Sequence, residues 1–325
     1  MSWSGCDAGS MTTGGSIESK LERLKGMLKS CVLCPRRCRV DRTKGERGFC
    51  GLPAGALVSR ALAHHGEEPP ISGTKGAGTI FLSSCNLRCR FCQNYQISRQ
   101  ATGEAVNAER MARIMLDLQE QGCHNIEPVT PTPHLPALIE GYALARLDGL
   151  AVPLVYNCGG YEDPEVLRLL EGLVDIYLPD FKYGNARDAH DCCGVNDYPV
   201  FALESAMEMV RQVGDNLDML ENVARRGIII RHLVLPGRLE NSLDVLRSIK
   251  ERISTAVPIS LMSQYTPIPA VRDRPDLGRR LNREEYERIV DAALEMGFDT
   301  LFIQELNERN LVPDFNRDTP FVWER

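Results

Sequence analysis

The sequence predicts an α/β fold in which parallel strands curl into a partial or full (β/α) barrel, preceded by a small cysteine-rich, metal-binding extension. Two observations support this prediction. From residue 78 onward, short apolar runs alternate with helical stretches, and repeated βα units with right-handed crossovers build a parallel sheet. Upstream of residue 78, four closely spaced cysteines lie among glycines and prolines. We therefore divide the chain into a disordered, Gly/Ser/Thr-rich tail (1–16), a cysteine-rich segment (17–77) and a barrel domain (78–325).

The individual elements follow from apolar periodicity and from turn residues. The predicted strands are Thr79–Ser84, Asn125–Val129, Val152–Asn157, Val174–Leu178, Gly227–Leu235, Pro258–Met262 and Thr300–Gln304. The predicted helices are Ile17–Leu28, Asn107–Gln121, Pro136–Leu147, Asp163–Leu173, Ala202–Val213, Leu239–Ile253 and Asn282–Met296. In a barrel of such units, functional side chains gather at the carboxyl ends of the strands.

The composition limits the classes of function. The 325 residues are 43% apolar and 25% charged, which is ordinary for a globular protein with a large core. A net charge of −6 argues against broad electrostatic binding to nucleic acid or to an anionic lipid surface. No apolar run reaches membrane-spanning length and no secretory signal opens the chain. Twelve cysteines in such a chain favour metal sites in a reduced cytoplasm over a secreted disulfide framework.

A Cys-x3-Cys-x2-Cys motif formed by Cys85, Cys89 and Cys92 directly follows the first predicted barrel strand. Three thiolates on one short loop can hold three irons of a [4Fe–4S] cluster and leave one iron open for another ligand. Zinc sites usually combine two closely spaced ligand pairs, and no such second pair follows Cys92 closely. The spacing therefore favours an open-iron cluster over a zinc site or a purely structural trio.

A second cysteine set comprises Cys31, Cys34, Cys38 and Cys50. Four thiolates fit either a closed tetrahedral zinc site or a second four-cysteine cluster. The surrounding glycines and prolines predict a tight knuckle without a core of its own, so that a bound metal would supply its folding free energy. The Cys-x3-Cys step and the neighbouring arginines favour a cluster, and four free buried thiols are the remaining alternative.

Polar or otherwise special residues follow the later strands. Glycines after Cys158 allow the backbone to approach a ligand closely. Asp180 beside Lys182 is consistent with a ligand contact or with a plain ion pair. Arg231 lies inside an apolar strand and must be paired if it is buried, most naturally with a carboxylate. The strand ends therefore predict a polar site above the sheet.

These features resemble the radical S-adenosylmethionine (SAM) superfamily, and in particular proteins similar to pyruvate formate-lyase activating enzyme that carry an N-terminal four-cysteine motif. The resemblance covers nearly all of residues 31–320. Besides the cysteine loop, it rests on the strings at residues 31–38, 41–51, 67–73, 91–98 and 231–237.

The resemblance implies that Cys85, Cys89 and Cys92 ligate a [4Fe–4S] cluster whose open iron chelates SAM. An electron then cleaves SAM to methionine and a 5′-deoxyadenosyl radical, which abstracts a hydrogen atom, and the protein positions this chemistry. Phe91 would cover the cluster and contact the adenine. The cofactor-binding residues implied in this way are Phe91, Asn125, Thr130, Asn157, Cys158, Asp180, Lys182, Arg231 and Gln264.

Three of these positions depart from the pattern of the activating enzymes. Those enzymes bind a monovalent cation at the positions that correspond to Asp180, Asn157 and Cys158. The residue at the position of Asn157 is usually acidic in them, so Asn157 is a departure. Gln264 stands where a SAM-contacting histidine is usual, whereas Arg231 matches a SAM-contacting arginine. The stretch after the second strand, which includes Thr130, replaces the usual Gly-Gly-Glu. The cation is therefore less strongly implied than SAM.

The predicted function is that of a radical SAM enzyme acting on a polypeptide such as a glycyl radical enzyme. The alternatives are radical SAM modification of a small molecule, a peptide or RNA, and a non-catalytic iron–sulfur or metal carrier. The implied partners are a flavodoxin- or ferredoxin-type electron donor and a protein or peptide substrate, with no membrane partner. The vicinal pair Cys192 and Cys193, expected in an exposed loop after Asp180, is the candidate catalytic pair, which would bind substrate or supply a hydrogen atom, the alternative being that it has no functional role.

Overall fold

The computed structural model describes residues 15–306 and 312–321 and shows an α/β fold built on a mixed, mainly parallel arrangement of strands. Residues 1–14 of the predicted tail lie outside the described residues. Ser16, which the prediction also assigned to the tail, caps the first helix by accepting a hydrogen bond from Ser19 N. No helix within the described ranges combines the length and apolar character needed to cross a membrane.

Ten α-helices and eleven strands are described. The helices are α1 (Ile17–Gly26), α2 (Pro69–Ser72), α3 (Tyr95–Ser98), α4 (Ala108–Glu120), α5 (Leu135–Leu147), α6 (Pro164–Arg168), α7 (Ala186–Cys193), α8 (Tyr198–Val213), α9 (Leu239–Arg252) and α10 (Arg283–Glu295). The strands are β1 (Ala56–His64), β2 (Ala77–Leu82), β3 (Glu104–Val106), β4 (Ile126–Val129), β5 (Val155–Cys158), β6 (Ile176–Pro179), β7 (Leu217–Leu220), β8 (Val223–Ile228), β9 (Ile230–Leu233), β10 (Ile259–Met262) and β11 (Leu301–Ile303).

The strands form two sheets that a single bridge links. The first sheet has the order β3-β1-β2-β4-β5-β6-β8-β7, and the second has the order β11-β10-β9. An isolated parallel bridge between Asp180 and Arg231 joins the end of β6 to β9. The parallel strands β2, β4, β5, β6, β9, β10 and β11 therefore follow one another in chain order, as in a partial (β/α) barrel.

The predicted strands are present, with two differences in the elements around them. The run predicted as one strand at Gly227–Leu235 is divided into β8, which pairs with β6, and β9, which pairs with β10. The predicted helix at Asp163–Leu173 is reduced to α6. The antiparallel strands β1, β3 and β7 were not predicted, because they are short or only partly buried. Since β1 pairs with β2, part of the cysteine-rich segment belongs to the main sheet.

The core lies between this sheet and the helices packed on it. All six residues of β2 are buried, which explains its continuous apolar run. Gly78 permits the close approach of the next strand, because a Cβ atom there would lie 2.6 Å from Asn125 O. Helix α4 begins after Asn107, whose side chain accepts from Arg110 N, and it packs against α5. These contacts place the end of β2, and the cysteine loop that follows it, at one rim of the barrel.

Candidate functional site

A cavity of about 290 Å³ lies at the carboxyl ends of the parallel strands. Eleven of the twelve residues predicted to bind the cluster or SAM line it. They are Cys85, Cys89, Phe91, Cys92, Thr130, Asn157, Cys158, Asp180, Lys182, Arg231 and Gln264. Because these side chains come from five different strands or strand ends and from the cysteine loop after β2, it is the fold that brings them together.

The loop that carries the three thiols is held in place by local hydrogen bonds. Cys92 N donates to Cys89 O at 3.2 Å, and Leu87 N donates to the Cys85 sulfur at 3.3 Å. The Tyr183 hydroxyl, on the segment after β6, donates to the Cys89 sulfur at 3.1 Å. Arg88 adopts a left-handed φ of 55° within the turn. The loop is therefore fixed by its own backbone and by the neighbouring strand end.

The three thiols are of the ligand type that binds the irons of a [4Fe–4S] cluster. Their sulfur atoms do not yet surround a common metal position. Burial raises the pKa of Cys85 to about 12 and also raises the pKa of Cys92. A hydrogen bond with the Cys193 thiol and burial together raise the pKa of Cys89. In the part of the chain that the structure describes, no three Cys, His, Asp or Glu side chains are already positioned to hold a metal ion. Binding would therefore rotate the thiols and release their protons.

A partly buried ion pair faces these thiols. Lys182 Nζ contacts a carboxylate oxygen of Asp180. Burial alone would lower the pKa of Lys182, but the Asp180 carboxylate and the nearby thiol of Cys89 outweigh burial and raise this pKa above its ordinary value. Lys182 therefore stays cationic and can offset the negative charge that thiolates would carry.

The ends of β5 and β6 approach each other closely beside this ion pair. Gly160 has a φ of 77°, and a Cβ atom there would lie 2.0 Å from Asp180 O. The hydroxyl of Tyr198 donates to the carbonyl groups of Gly159 and Asp180, each at 2.9 Å. The sequence suggested that glycines here allow a close approach, and the group that approaches is the neighbouring strand end.

Arg231 is paired, as its place in an apolar strand requires, but its partners come from the chain itself. Its Nη2 atom lies 2.5 Å from Glu67 Oε2, and its Nε atom lies 3.0 Å from Glu68 Oε1. His64 Nδ1 lies 2.7 Å from the other oxygen of Glu67. Burial alone would raise the pKa of Glu67, but Arg231 and His64 outweigh it and lower this pKa to about 2. Arg231 therefore has an internal ion-pair role whether or not it also contacts a ligand.

Glu127, in the middle of β4, is a buried carboxyl that sequence reasoning missed. It accepts hydrogen bonds from Asn157 Nδ2 at 2.7 Å and from Thr79 Oγ1 at 3.0 Å. Burial and the nearby Glu67 raise its pKa well above the ordinary value, so that it is held neutral. The sequence signal that could have identified Glu127 is a charged residue inside an apolar strand, which is also the signal that identified Arg231. Glu67 and Glu68 lie in one of the strings that carried the resemblance, without an assigned role.

Asn125 is the one predicted SAM ligand that the fold does not bring to the cavity. It is buried immediately before β4, and its side-chain amide donates to Ile71 O at 2.9 Å. The start of a parallel strand lies at the opposite edge of the sheet from the carboxyl ends. The expectation of a SAM contact from Asn125 is therefore corrected.

Cys192 and Cys193 are buried in the last turn of α7 rather than exposed in a loop, and neither lines the cavity. The helix forms because Asn185 caps its start and Gly194, with a left-handed φ of 71°, ends it. Burial raises the pKa of Cys192 to about 12. The hydrogen bond to Cys89 lowers the pKa of Cys193. The expectation of an exposed reactive pair is therefore corrected, and Cys193 is instead a neighbour of the cysteine loop.

The second cysteine set also comes together. Cys31, Cys34, Cys38 and Cys50 line one small cavity beside the cysteine loop. Burial raises the pKa of Cys34 to about 12, so that its thiol is protonated when no metal is bound.

Comparison with known proteins agrees with this geometry. The family model of the radical SAM superfamily matches residues 79–249. Uncharacterized protein MJ0674 of Methanocaldococcus jannaschii is 31% identical over 299 residues, which cover 88% of this chain and 80% of the relative. Uncharacterized protein MJ0808 of the same organism is 23% identical over 301 residues, which cover 87% of this chain and 83% of the relative.

Solved structures with a similar backbone include SuiB of Streptococcus suis bound to S-adenosylmethionine, with a TM-score of 0.49 and 12% identity. That match covers 68% of this chain and 48% of SuiB, so that the chain spans about half the length of that protein. A second is anSMEcpe with bound AdoMet, with a TM-score of 0.47, 13% identity, and coverage of 67% of this chain and 61% of the other. With a family model that matches more than half of its residues, this chain belongs to the radical SAM superfamily.

Proposed function

We propose that this radical SAM enzyme cleaves SAM reductively at a [4Fe–4S] cluster held by Cys85, Cys89 and Cys92 and abstracts a hydrogen atom from a polypeptide. Membership of the superfamily implies the cluster and SAM as cofactors. The observation that carries the proposal is the convergence of these three thiols with Asp180 and Lys182 on a single cavity. When bound, the cofactors supply the electron transfer and the radical.

The protein's own side chains supply charge and shape. Lys182 presents a partly buried cation toward Cys89 and Cys92, and it would stabilise the thiolates that ligate iron. Phe91 is held by edge-to-face contacts with Tyr183 and Tyr265, at ring-centroid distances of 6.3 Å and 6.0 Å. An aromatic ring fixed in this way forms a rigid apolar wall on which an adenine could stack.

The size of the cavity favours a polypeptide substrate. Its volume of about 290 Å³ is at the lower end of the range of roughly 300–1,000 Å³ for pockets that enclose one small ligand. A cluster and SAM would occupy most of this space, so that an additional enclosed small molecule has little room. A polypeptide segment can reach in from outside. In addition to the strings named above, Asp180-Phe181-Lys182 followed by His190 resembles the Asp-Leu-Lys…His pattern of glycyl radical activating enzymes, which supports the same substrate class.

The first experiment tests SAM cleavage in the protein reconstituted anaerobically with iron and sulfide. With SAM and dithionite we expect 5′-deoxyadenosine from the wild-type protein and none from Cys89→Ala. Cys123→Ala is the matched control, because Cys123 is also buried but lines neither cysteine cavity. Wild-type protein with an intact cluster that forms no 5′-deoxyadenosine would contradict the proposal. Replacing dithionite by reduced flavodoxin or ferredoxin tests the proposed electron donor.

A second experiment tests the substrate class. A deuterated glycyl radical enzyme from the same genome is supplied as substrate, and deuterium is sought in the 5′-deoxyadenosine that forms. Deuterium transfer together with a carbon-radical signal in electron paramagnetic resonance supports an activating enzyme. Transfer from a deuterated small molecule or RNA, with none from the polypeptide, favours the alternative substrates.

A further inference from the structure

The small cavity lined by Cys31, Cys34, Cys38 and Cys50 is formed by two backbone turns. In the first, Cys31 N donates to Val40 O at 2.9 Å, and Arg39 N donates back to Cys31 O at 3.0 Å. Arg37 N also donates to Cys34 O at 3.0 Å. These bonds fold residues 31–40 into a hairpin-like knuckle that presents three thiols on one side.

The second turn brings Cys50 against the first. Gly51 N donates to Gly48 O at 3.0 Å, and Phe49 N donates to the Cys38 sulfur at 3.4 Å. A Cβ atom at Gly48 would lie 2.7 Å from Cys38 Cβ, so that only glycine allows the two turns to pack at this distance. The fourth thiol is therefore positioned by tight packing.

A buried cation beside this cavity lacks an anionic partner. Arg42 is 1% exposed, and it donates to the carbonyl groups of Pro53 and Pro133. Its Nη1 atom lies 4.0 Å from the Cys31 sulfur. Among the described residues its side-chain partners are these two carbonyl groups and the Cys31 sulfur, and none of them is a carboxylate. A buried charge without a partner is costly, and a metal-bound set of thiolates would supply the missing negative charge.

The size of the cavity distinguishes between a zinc ion and a second iron–sulfur cluster, the two metal-bound forms that the sequence left open. Its volume is about 20 Å³. A cavity needs roughly 10–15 Å³ to hold one water molecule, so this space suits a single ion. The eight core atoms of a [4Fe–4S] cluster need several times more room, as the larger cavity beside Cys85 offers. We propose that Cys31, Cys34, Cys38 and Cys50 bind one zinc ion in a tetrahedral site that braces the cysteine loop of the SAM-binding cluster.

Hydrogen bonds from the knuckle to that loop show how the brace would act. Cys50 O accepts from the Ser84 hydroxyl and, at 3.0 Å, from Arg88 Nη2. Arg36, between two of the thiols, donates from Nε to Asn86 O at 2.6 Å. These partners flank Cys85, the first cluster thiol. Fixing the knuckle therefore fixes the turn from which Cys85 projects.

Zinc binding requires no oxidant or reductant. Four S–H bonds break, four Zn–S bonds form, and up to four protons pass to solvent. The thiols are not yet arranged around one point, so each side chain must turn about its Cα–Cβ bond as the metal enters. Because protons compete with zinc for the four thiolates, zinc affinity falls as the pH decreases.

Metal analysis tests the proposal directly. The full-length chain is purified anaerobically, reconstituted, and its iron and zinc are counted. We expect about four irons and one zinc in the wild-type protein, in keeping with one open-iron cluster and one closed zinc site. Combined Cys85→Ala, Cys89→Ala and Cys92→Ala should remove the iron and keep the zinc. Combined Cys34→Ala and Cys50→Ala should remove the zinc.

Other outcomes would overturn the proposal. About four irons left after loss of the three cluster cysteines would show a second cluster. A wild-type protein with iron but neither zinc nor tetrahedral-thiolate bands after cobalt(II) addition would show free thiols. The iron and zinc counts do not depend on SAM cleavage. The zinc proposal can therefore fail or succeed independently of the proposed function.

Hydrogen exchange tests the brace. In the Cys34→Ala, Cys50→Ala protein we expect faster amide exchange at residues 84–92, and no change there in Cys123→Ala. Exchange at these residues that is the same with and without zinc would refute the bracing role, even if zinc binds.

Discussion

Replacing Glu162 by glutamine should make the folded protein more stable at alkaline pH but not at acidic pH. Glu162 is fully buried, and its carboxylate accepts hydrogen bonds from Thr132 Oγ1 at 2.6 Å and from the Tyr156 hydroxyl at 3.3 Å. Burial raises its pKa from 4.5 to about 7. A neutral carboxylic acid is therefore the form that the fold prefers, and glutamine has the same shape without the charge.

The magnitude follows from this shift. The difference between 4.5 and about 7 is about 2.5 pKa units, and at about 1.4 kcal/mol per unit it corresponds to about 3 kcal/mol. Because the pKa is raised on folding, the stability that the protonated group provides is fully present below pH 4.5. It is lost as the pH rises through about 7, since the unfolded chain releases its proton first. Glu162→Gln should therefore gain up to about 3 kcal/mol at pH 8 and about none at pH 4.5.

The assay is chemical denaturation of the wild-type and variant proteins at several pH values, in matched metal states. Comparing the two proteins at each pH removes the common contributions of thiols and other carboxylates. Glu165→Gln is the matched control, because it makes the same substitution at an exposed position three residues away. The reasoning is refuted if Glu162→Gln changes the free energy of unfolding equally at pH 5 and pH 8.

Three further substitutions have definite expected outcomes. Arg231→Met should cost about 3–5 kcal/mol in denaturation experiments, because it removes the guanidinium that pairs with the buried carboxylates of Glu67 and Glu68. Tyr183→Phe removes the donor to Cys89 and should lower the cluster potential by about 40 mV in a redox titration, if the lost bond differs by about 1 kcal/mol between oxidation states. Gly160→Ala should lower the melting temperature far more than Gly194→Ala. Both have positive φ, but only at Gly160 would the new Cβ meet a backbone oxygen, at 2.0 Å.

Much of the fold could be predicted from the sequence because most of the parallel strands are short, largely buried and mainly apolar. Strand β2 shows this signal most clearly, with all six residues buried. Strand β1 was missed because its burial is only partial and its pairing with β2 is antiparallel. Such edge pairing depends on tertiary contacts rather than on a local pattern. Helix α7 was missed because its eight residues carry only a short apolar face.

The candidate site was predictable where a residue type is out of place in its local pattern. The cysteine loop and Arg231 stand out in this way, and both reach the cavity. Position along a strand was not predictable to the residue, and Asn125 therefore falls at the wrong edge of the sheet. Glu67 was not given a role, because its partner Arg231 is 164 residues away and no local pattern joins them.

The charges around the cavity are balanced by the chain itself. Two carboxylates line the described part of its wall, and each has an internal cationic partner, Arg231 for Glu67 and Lys182 for Asp180. Behind the wall, Glu127 is held neutral and accepts a hydrogen bond from the side chain of Asn157. The position of Asn157 is the one at which activating enzymes usually have an acidic residue. Because this wall carries so little unpaired negative charge, we expect it to attract an additional monovalent cation only weakly. Lys182, covalently attached and held beside the thiols, is then the cation that this site provides.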